Sequence, residues 1–470
     1  MTLFNRIHGD AVFKNPRHRC ICMGGRSLKA IDLFAGAGGL SLGLELAGIE
    51  VVGSVEHCQK AVDTYYHNFP SHVAMCRDIT DFGPEKMEHE LLTQKQIKKE
   101  EIDIIAGGPP CPGFSNIGRS KIISLLREGT HEKWAWGDEK ADKLRHSFIQ
   151  DPRNELFLEF VKYVEHFQPR WYIMENVPGM LTSKNKNEQI IPTLVRQAFE
   201  MAGYQCRWKV LSSDDYGVPQ ARKRLIFIGW KTDSPKDEFL HPSAKKGRKW
   251  TANDAIDDLP RVGQEGGPFE RYGGSLSAKP NRYQLSMRKG IYKQAGREDP
   301  RTQRIPTGKE PLTCHTGRAV NPRDQAIFPL LTAAEGERRV TYDLIEPSEL
   351  DFPGDWQWDA ETELVWNGKT GEGKKTYKWY NRKSFKDKMR RISGHKPSPT
   401  LVAHMAVDTY MYIHPTADRT ITPREAARIQ SFPDSFDFSV VSFTSQYRQI
   451  GNAVPPLMAR AIGEEITKIA

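Results

Sequence analysis

No apolar run in this chain approaches the roughly 20 residues needed to cross a bilayer, so a helical membrane protein is not expected. Cysteine is scarce and scattered, 7 in 470 residues, which argues against a disulfide framework and suits a reducing compartment. Cys20 and Cys22 form a lone Cys-x-Cys without a second pair, too little for a structural zinc site, and no metal is expected. Residues 1–27 lack the apolar core of a secretory signal and read as an irregular basic extension. There is no internal repeat. What remains is an ordinary globular composition, 38% hydrophobic and 27% charged, long enough for two domains. A net charge of +9 and a pI near 9.0 hint at a polyanionic partner.

The stretch Ile31-Asp32-Leu33-Phe34-Ala35-Gly36-Ala37-Gly38-Gly39-Leu40 opens the ordered part. A short buried strand, a turn crowded with glycine and a helix closed by Gly48 follow one another. Glycine lets the backbone approach a ligand and take φ > 0. The next strand ends on Glu56, 20 residues beyond Gly36, where an acid can take a ribose hydroxyl. Turn and acid together point to a nucleoside-containing cofactor. Strands are expected at 29–34, 50–55, 73–75, 102–106, 170–174 and 225–229, with helices between them, notably 155–166 and 191–201. Such alternation argues an α/β fold with a parallel sheet. Asp78 follows the third strand and is a candidate for an adenine amino group, or else a solvated capping Asp.

Beyond residue 230 the pattern fails. Residues 231–399 hold 32 Lys and Arg against 24 Asp and Glu, nearly all the excess charge. Two clusters interleave cations with aromatics: Lys245-Lys246-Gly247-Arg248-Lys249-Trp250, and Lys378-Trp379-Tyr380-Asn381-Arg382-Lys383 running on to Arg390-Arg391. Both suit phosphate contacts with stacking, or else are solvated faces. An acidic patch from Glu346 to Glu363 breaks the basic character. Thr422-Pro423-Arg424-Glu425 then carries an N-cap, a Pro at N1 and a first-turn acid. A last helix sets Leu457, Ala461, Ile462, Ile466 and Ile469 on one face, with the sheet of the first domain as its natural surface.

One cysteine stands apart. Ile102-Asp103-Ile104-Ile105-Ala106 runs into Gly107-Gly108-Pro109-Pro110-Cys111, a strand ending in a loop stiffened by prolines. Cys58, Cys76 and Cys206 sit in or beside apolar patterns and read as space-filling. Cys111 fits none, which makes it a candidate nucleophile. Trp171 to Glu175 ends a strand in a carboxylate. Pro219-Gln220-Ala221-Arg222-Lys223-Arg224 offers two arginines at i and i+2, on one side of an extended segment.

In the order in which they stand, these stretches resemble the motifs of the cytosine-C5 DNA methyltransferases. They are Asp32-Leu33-Phe34-Ala35-Gly36, Pro109-Pro110-Cys111, Glu175-Asn176-Val177, Gln220-x-Arg222-x-Arg224, Arg424-Glu425-Ala426-Ala427-Arg428 and Gly451-Asn452-Ala453-Val454. The match covers about 28–229 and 420–470. It implies a Rossmann-like, S-adenosyl-L-methionine-dependent catalytic domain over 28–230, an inserted irregular target-recognition domain over 231–400, and a return to the catalytic domain over 401–470. The resemblance assigns Cys111 to attack cytosine C6, Glu175 to N3, and Arg224, with Arg222 as the alternative, to O2 and the catalytic loop. In the cofactor site it places Phe34, Gly36, Gly38, Glu56 and Asp78, with Pro110, Leu156, Asn452 and Val454 lining the rest. His57 stands where the family often has an aromatic. Residues 118–150 would form a closing loop, lengthened around Trp134-Ala135-Trp136. The implied substrate is double-stranded DNA, bound by a cytoplasmic monomer at the bacterial nucleoid, with no membrane partner. A cognate restriction endonuclease would complete a restriction–modification pair. A tRNA-directed relative and a catalytically inactive DNA-binding protein are the competing readings.

Overall fold

Seven strands make the sheet on which the first half of the chain is built. In this computed structural model the described residues are 26–110, 156–183, 190–268, 280–288, 293–294, 297–298, 312–332, 342–370, 373–381 and 389–470. β1 (Lys29–Leu33) pairs in parallel with β2 (Glu50–Glu56) and β4 (Ile102–Gly107). β2 pairs in parallel with β3 (Val73–Cys76), and β4 with β5 (Trp171–Asn176). β7 (Lys223–Lys231) runs antiparallel to both β5 and β6 (Tyr204–Ser212). The order is β3-β2-β1-β4-β5-β7-β6, the expected mixed and mostly parallel sheet. β1, β4 and β5 are apolar runs because both their faces are covered. β6 was not anticipated: Tyr204, Cys206, Trp208 and Val210 alternate with Gln205, Arg207 and Lys209, the period of an edge strand.

Among the described residues this sheet is accompanied by α1 (Gly39–Leu46), α2 (Gln59–Asn68), α3 (Pro84–Lys95), α4 (Leu156–Phe167) and α5 (Ile191–Met201). Phe160, Val164 and Phe199 pack on Tyr172 of β5, with the Tyr172 and Phe199 rings stacked at 3.9 Å. Strand order reverses direction between β1 and β4. A crevice outside the carboxyl ends of these strands is where open α/β sheets place their ligands.

The chain divides into two units. One comprises the described part of Pro16–Tyr216 together with Arg222–Lys246 and Ala453–Ala470; the other comprises Gly217–Ala221 and Gly247–Asn452. This corrects the expected return at 401, because residues up to Asn452 stay with the second unit. Buried arginines explain why. Arg424 donates to the Thr313, Pro433 and Phe436 carbonyls, and Arg428 bonds the Ala255 carbonyl, Asp258 and Asp434. The N-cap expected at Thr422 is present and closes as a capping box: its Oγ1 accepts the Glu425 N–H, and Glu425 accepts the Thr422 N–H.

The carboxy-terminal helix, Pro456–Thr467, belongs to the sheet unit but docks on α1, not on the sheet. Glycines permit the approach. A Cβ on Gly43 would stand 2.3 Å from the Ala459 Cβ, and one on Gly463 would stand 2.7 Å from the Ala47 Cβ. Leu457, Ala461, Ile462 and Ile466 are buried as expected, whereas Ile469 is exposed.

In the second unit regular structure is sparse. A three-stranded antiparallel sheet joins Gln357–Asp359, Leu364–Trp366 and Thr376–Lys378. Ile327, Phe328, Tyr342, Val365, Trp379, Met389 and Ile413 form its core. Among the described residues no helix is long and apolar enough to cross a membrane.

Candidate active site

β1 delivers the chain into the glycine turn. Phe34 takes φ +58° and Gly36 φ +55°, so the strand ends at Leu33, one residue earlier than expected. A Cβ on Gly36 would meet open space, whereas one on Gly38 would stand 2.5 Å from the Phe69 ring. Gly38 is therefore fixed by packing, and Gly36 by conformation beside an open face. Glu56, at the end of β2, holds the turn: its Oε2 accepts the Gly36 N–H at 3.0 Å and its Oε1 the Cys58 N–H at 2.9 Å. Burial raises the Glu56 pKa, but the His57 ring and these two N–H donors outweigh it and leave the carboxyl below its ordinary value. A carboxylate offers about four acceptor sites, so a hydroxyl can still be taken.

His57 is 73% exposed, with Nδ1 3.0 Å from Glu56 Oε1, a hydrogen bond that raises its pKa. Asp78 is exposed; the Thr80 N–H and hydroxyl bond its Oδ1 and lower its pKa. Leu156 opens α4 and packs partly on the core. A nucleoside fits this set: open backbone at Gly36, and two acids held ionised near His57. Val454 lies in the same unit, whereas Asn452 is grouped with the second.

β4 brings its loop to the same end of the sheet. A Cβ on Gly107 would stand 2.3 Å from the Leu33 carbonyl, so only glycine lets β4 leave beside β1. The Gly108 N–H donates to that carbonyl, and the Asn176 side chain donates to the Pro109 carbonyl at 3.1 Å. The loop is therefore tied to both β1 and β5 up to Pro110. Cys111 and the expected closing loop with Trp134 and Trp136 lie outside the described residues.

Glu175 stands on β5 opposite Ile226, and Arg224, two residues away on the facing strand, shares its face. Arg224 Nε lies 2.6 Å from Glu175 Oε1, with both side chains mostly buried. Burial lowers the Arg224 pKa and the Glu175 carboxylate opposes that shift. A Cβ on Gly108 would stand 3.0 Å from Glu175 Oε2, so the chain just before Pro109 passes directly against this carboxylate. Arg222 differs from Arg224: it is 1% exposed, and its backbone is bonded in both directions to Ser213. Of the two arginines offered by the motif, Arg224 is the one paired with the carboxylate. Gln220 of the same motif is buried in the second unit, where Leu401 donates to it and it bonds Gln430.

Of the cysteines read as space-filling, Cys58 is exposed at the start of α2 and corrects that reading. Cys206 conforms, its thiol pushed up to about 11 by burial. The second basic cluster is corrected as well. Trp379 is core, and Arg391 spends its N–H groups on the Leu331, Phe328, His414 and Ala417 carbonyls and on Asp418. Missed altogether was the buried chain that runs from Asp32 to Ser41, from Ser41 to Tyr65 and from Tyr65 to His72. Periodicity marks Tyr65 only as core.

Comparison with known proteins gives this geometry a lineage. The model of the C-5 cytosine-specific DNA methylases matches residues 28–468. The chain belongs to that family. A Type II methyltransferase, M.DdeI of Desulfomicrobium norvegicum, is 32% identical over 94% of this chain and 88% of its own length. Type II methyltransferase M.AgeI of Thalassovita gelatinovora is 30% identical, over 93% and 99%. A crystal structure from E. coli, of a prophage-encoded protein assigned as a DNA modification methyltransferase, is 25% identical with a TM-score of 0.62. It covers 94% of this chain and 99% of that one. The enzyme class is therefore DNA (cytosine-5-)-methyltransferase.

Proposed function

We propose that this methyltransferase modifies C5 of one cytosine within a short duplex sequence, through a covalent adduct between Cys111 and C6 of a base swung out of the helix. The Glu175–Arg224 pair, with Gly108 of the preceding strand end set against it, carries this reading. Cytosine C5 is a weak nucleophile. Addition of a thiolate at C6 turns the ring into an enamine and gives C5 carbanion character. Charge then gathers on N3 and O2. Glu175 meets N3, and Arg224 orients Glu175 and faces O2 with a preformed cation. S-adenosyl-L-methionine, when bound at Phe34, Gly36, Glu56 and Asp78, supplies an electrophilic methyl group. The C5 proton then leaves to a base and the C6–S bond breaks, which frees Cys111.

Inside a duplex neither face of the C5–C6 bond is open to attack, so the base must flip, at a cost of a few kcal/mol. Phosphate contacts from the second unit offset that cost. The Type II relatives support a modification role in a restriction–modification pair. The enzyme is proposed to act as a cytoplasmic monomer.

Duplex carrying 5-fluorocytosine in the target sequence tests the proposal, because fluorine blocks loss of the C5 substituent. With S-adenosyl-L-methionine present, mass spectrometry is expected to find DNA attached to Cys111, and none in Cys111→Ser. Turnover without an adduct would overturn it, and transfer to tRNA but not DNA would redirect it to the RNA reading.

A further inference from the structure

Behind the glycine turn lies a chain of four buried polar contacts that the proposed chemistry does not use. The Ser41 N–H and hydroxyl both donate to Asp32 Oδ2, at 3.1 and 2.6 Å. Ser41 Oγ lies 2.9 Å from the Tyr65 hydroxyl, which lies 2.9 Å from His72 Nδ1. His72 Nε2 lies 2.8 Å from Glu45 Oε1. Asp32, Ser41, Tyr65 and His72 are all buried. Ser41 and Glu45 stand one turn apart on α1, so the path leaves the helix through Tyr65 and His72 and returns to it.

We propose that Ser41, Tyr65 and His72 are positioning residues that pass one proton between Asp32 and Glu45, so that the charge at the root of the cofactor turn answers the charge of the ligand bound there. This rests on the cofactor reading above. Taken as hydrogen bonds in series, these contacts share one proton, with Ser54 as a further side-chain partner of the Tyr65 hydroxyl. Each hydroxyl has a single hydrogen. If Asp32 is ionised, Ser41 donates to it and Tyr65 donates to Ser41, so His72 Nδ1–H must donate to Tyr65. Nε2 and Glu45 then share a further proton, held as an imidazolium or as a carboxylic acid. If Asp32 is protonated, it donates to Ser41, Ser41 to Tyr65, and Tyr65 to a bare Nδ1, while Nε2–H donates to Glu45. The heavy atoms and the total charge are the same in every arrangement; one proton has crossed two hydroxyls.

The surroundings set the balance. Burial pushes the Asp32 carboxyl up to about 7, and Glu56 across the turn adds to the rise. Tyr65, facing Asp32 and Glu45, is held neutral by burial. Oδ1 of Asp32 is buried without a hydrogen-bond partner among the described residues, as a protonated carboxyl tolerates better than a charged one. A cation arriving at the turn favours ionised Asp32 and returns the proton to His72 or Glu45. A sulfonium cofactor carries that positive charge; the thioether product S-adenosylhomocysteine lacks it.

Nitrogen-15 NMR of the imidazoles in ligand-free protein tests the wire. Asp32→Asn is expected to move the His72 titration midpoint by at least one pH unit, although the two side chains do not touch. Tyr65→Phe, which keeps its ring beside Phe69, and Ser41→Ala are each expected to abolish that dependence on residue 32. Identical His72 curves in the wild type and in the Asp32→Asn variant overturn the proposal. Calorimetry in buffers of different ionisation enthalpy supplies the second arm. S-adenosylmethionine and S-adenosylhomocysteine should differ in protons exchanged for the wild type but not for Tyr65→Phe; an equal difference in both overturns the coupling. Should neither ligand bind, the cofactor reading falls and the imidazole titration alone decides the wire.

Discussion

The sheet unit and the second unit satisfy their buried backbone by different means. In the sheet unit seven paired strands absorb the N–H and C=O groups, and a large cluster of apolar side chains packs on them. The second unit has strands of two or three residues, and arginine takes the place of the ladder. Arg391, Arg419 and Arg424 each donate to at least two main-chain carbonyls. A planar fork of five donors suits carbonyls that no neighbouring strand reaches. The excess of Lys and Arg in this region is therefore partly structural and is not a count of phosphate contacts.

Removing one such guanidinium should show the largest effect. Arg428→Ala takes the paired cation away from buried Asp434 and is expected to cost about 3–5 kcal/mol in urea unfolding. Arg224→Ala, whose partner Glu175 keeps 14% of its side chain open, should cost less stability while lowering single-turnover methyl transfer on the order of 10²-fold or more. Comparable destabilisation by the two would erase the contrast.

Acid should separate the units next, because one deeply buried acid in each, Asp32 and Glu425, shifts in the opposite sense to the other. Asp32 in the sheet unit is raised from 3.8 to about 7, so the folded state keeps a proton that the unfolded chain releases. Its contribution falls as pH climbs from about 4 to about 7, by about 1.4 kcal/mol per unit at most. In the second unit Glu425 is driven far below its ordinary value: burial opposes ionisation, but Arg419 and His414 prevail. His414 is lowered to about 4, chiefly by burial. Both contributions are full above the unfolded values of 4.5 and 6.5, and both are lost on acidification. Thermal unfolding should find Asp32→Asn flattening one trend between pH 5 and 7.5, and Glu425→Gln flattening the other below pH 4.5. The same slope for both variants would contradict these shifts.

Helix packing gives a smaller effect. Gly43→Ala places a methyl 2.3 Å from Ala459 and should cost about 1–3 kcal/mol by overpacking. An equally buried apolar site in the sheet core, such as Val195→Ile, should cost less, and chemical denaturation compares the two.

Legibility followed the same division. The six expected strands of the sheet are present, because burial on both faces writes long apolar runs. The chemistry at their ends was legible because glycine and proline mark loops, and a carboxylate ending a buried strand has few other reasons to stand there. Tyr65, Ser41 and His72 were not legible, since their partners are long-range and each residue alone resembles ordinary helix or loop. The boundary at Asn452 was missed for the opposite reason. Arg424 and Arg428 read as a surface-compatible helix, and nothing in their spacing shows that both are fully buried against residues more than 100 positions earlier.

The smallest effect on stability should come from the cations that remain outside. Lys246 and Arg248 are exposed, and Arg248 meets Asp254 at 2.7 Å with its own side chain 71% open. An exposed pair of this kind contributes at most about 1 kcal/mol. Asp254 also retains the Thr251 N–H and hydroxyl at the start of its helix, so losing the arginine leaves no carboxylate stranded. Lys246→Ala and Arg248→Ala should therefore leave the unfolding midpoint nearly unchanged. If these residues reach phosphates where the buried arginines cannot, each substitution should lower the slope of log affinity against log salt by about 1, uniformly across duplex sequences. An unchanged slope would move the electrostatic footprint elsewhere on the second unit, and a change confined to one sequence would make them readers of bases instead.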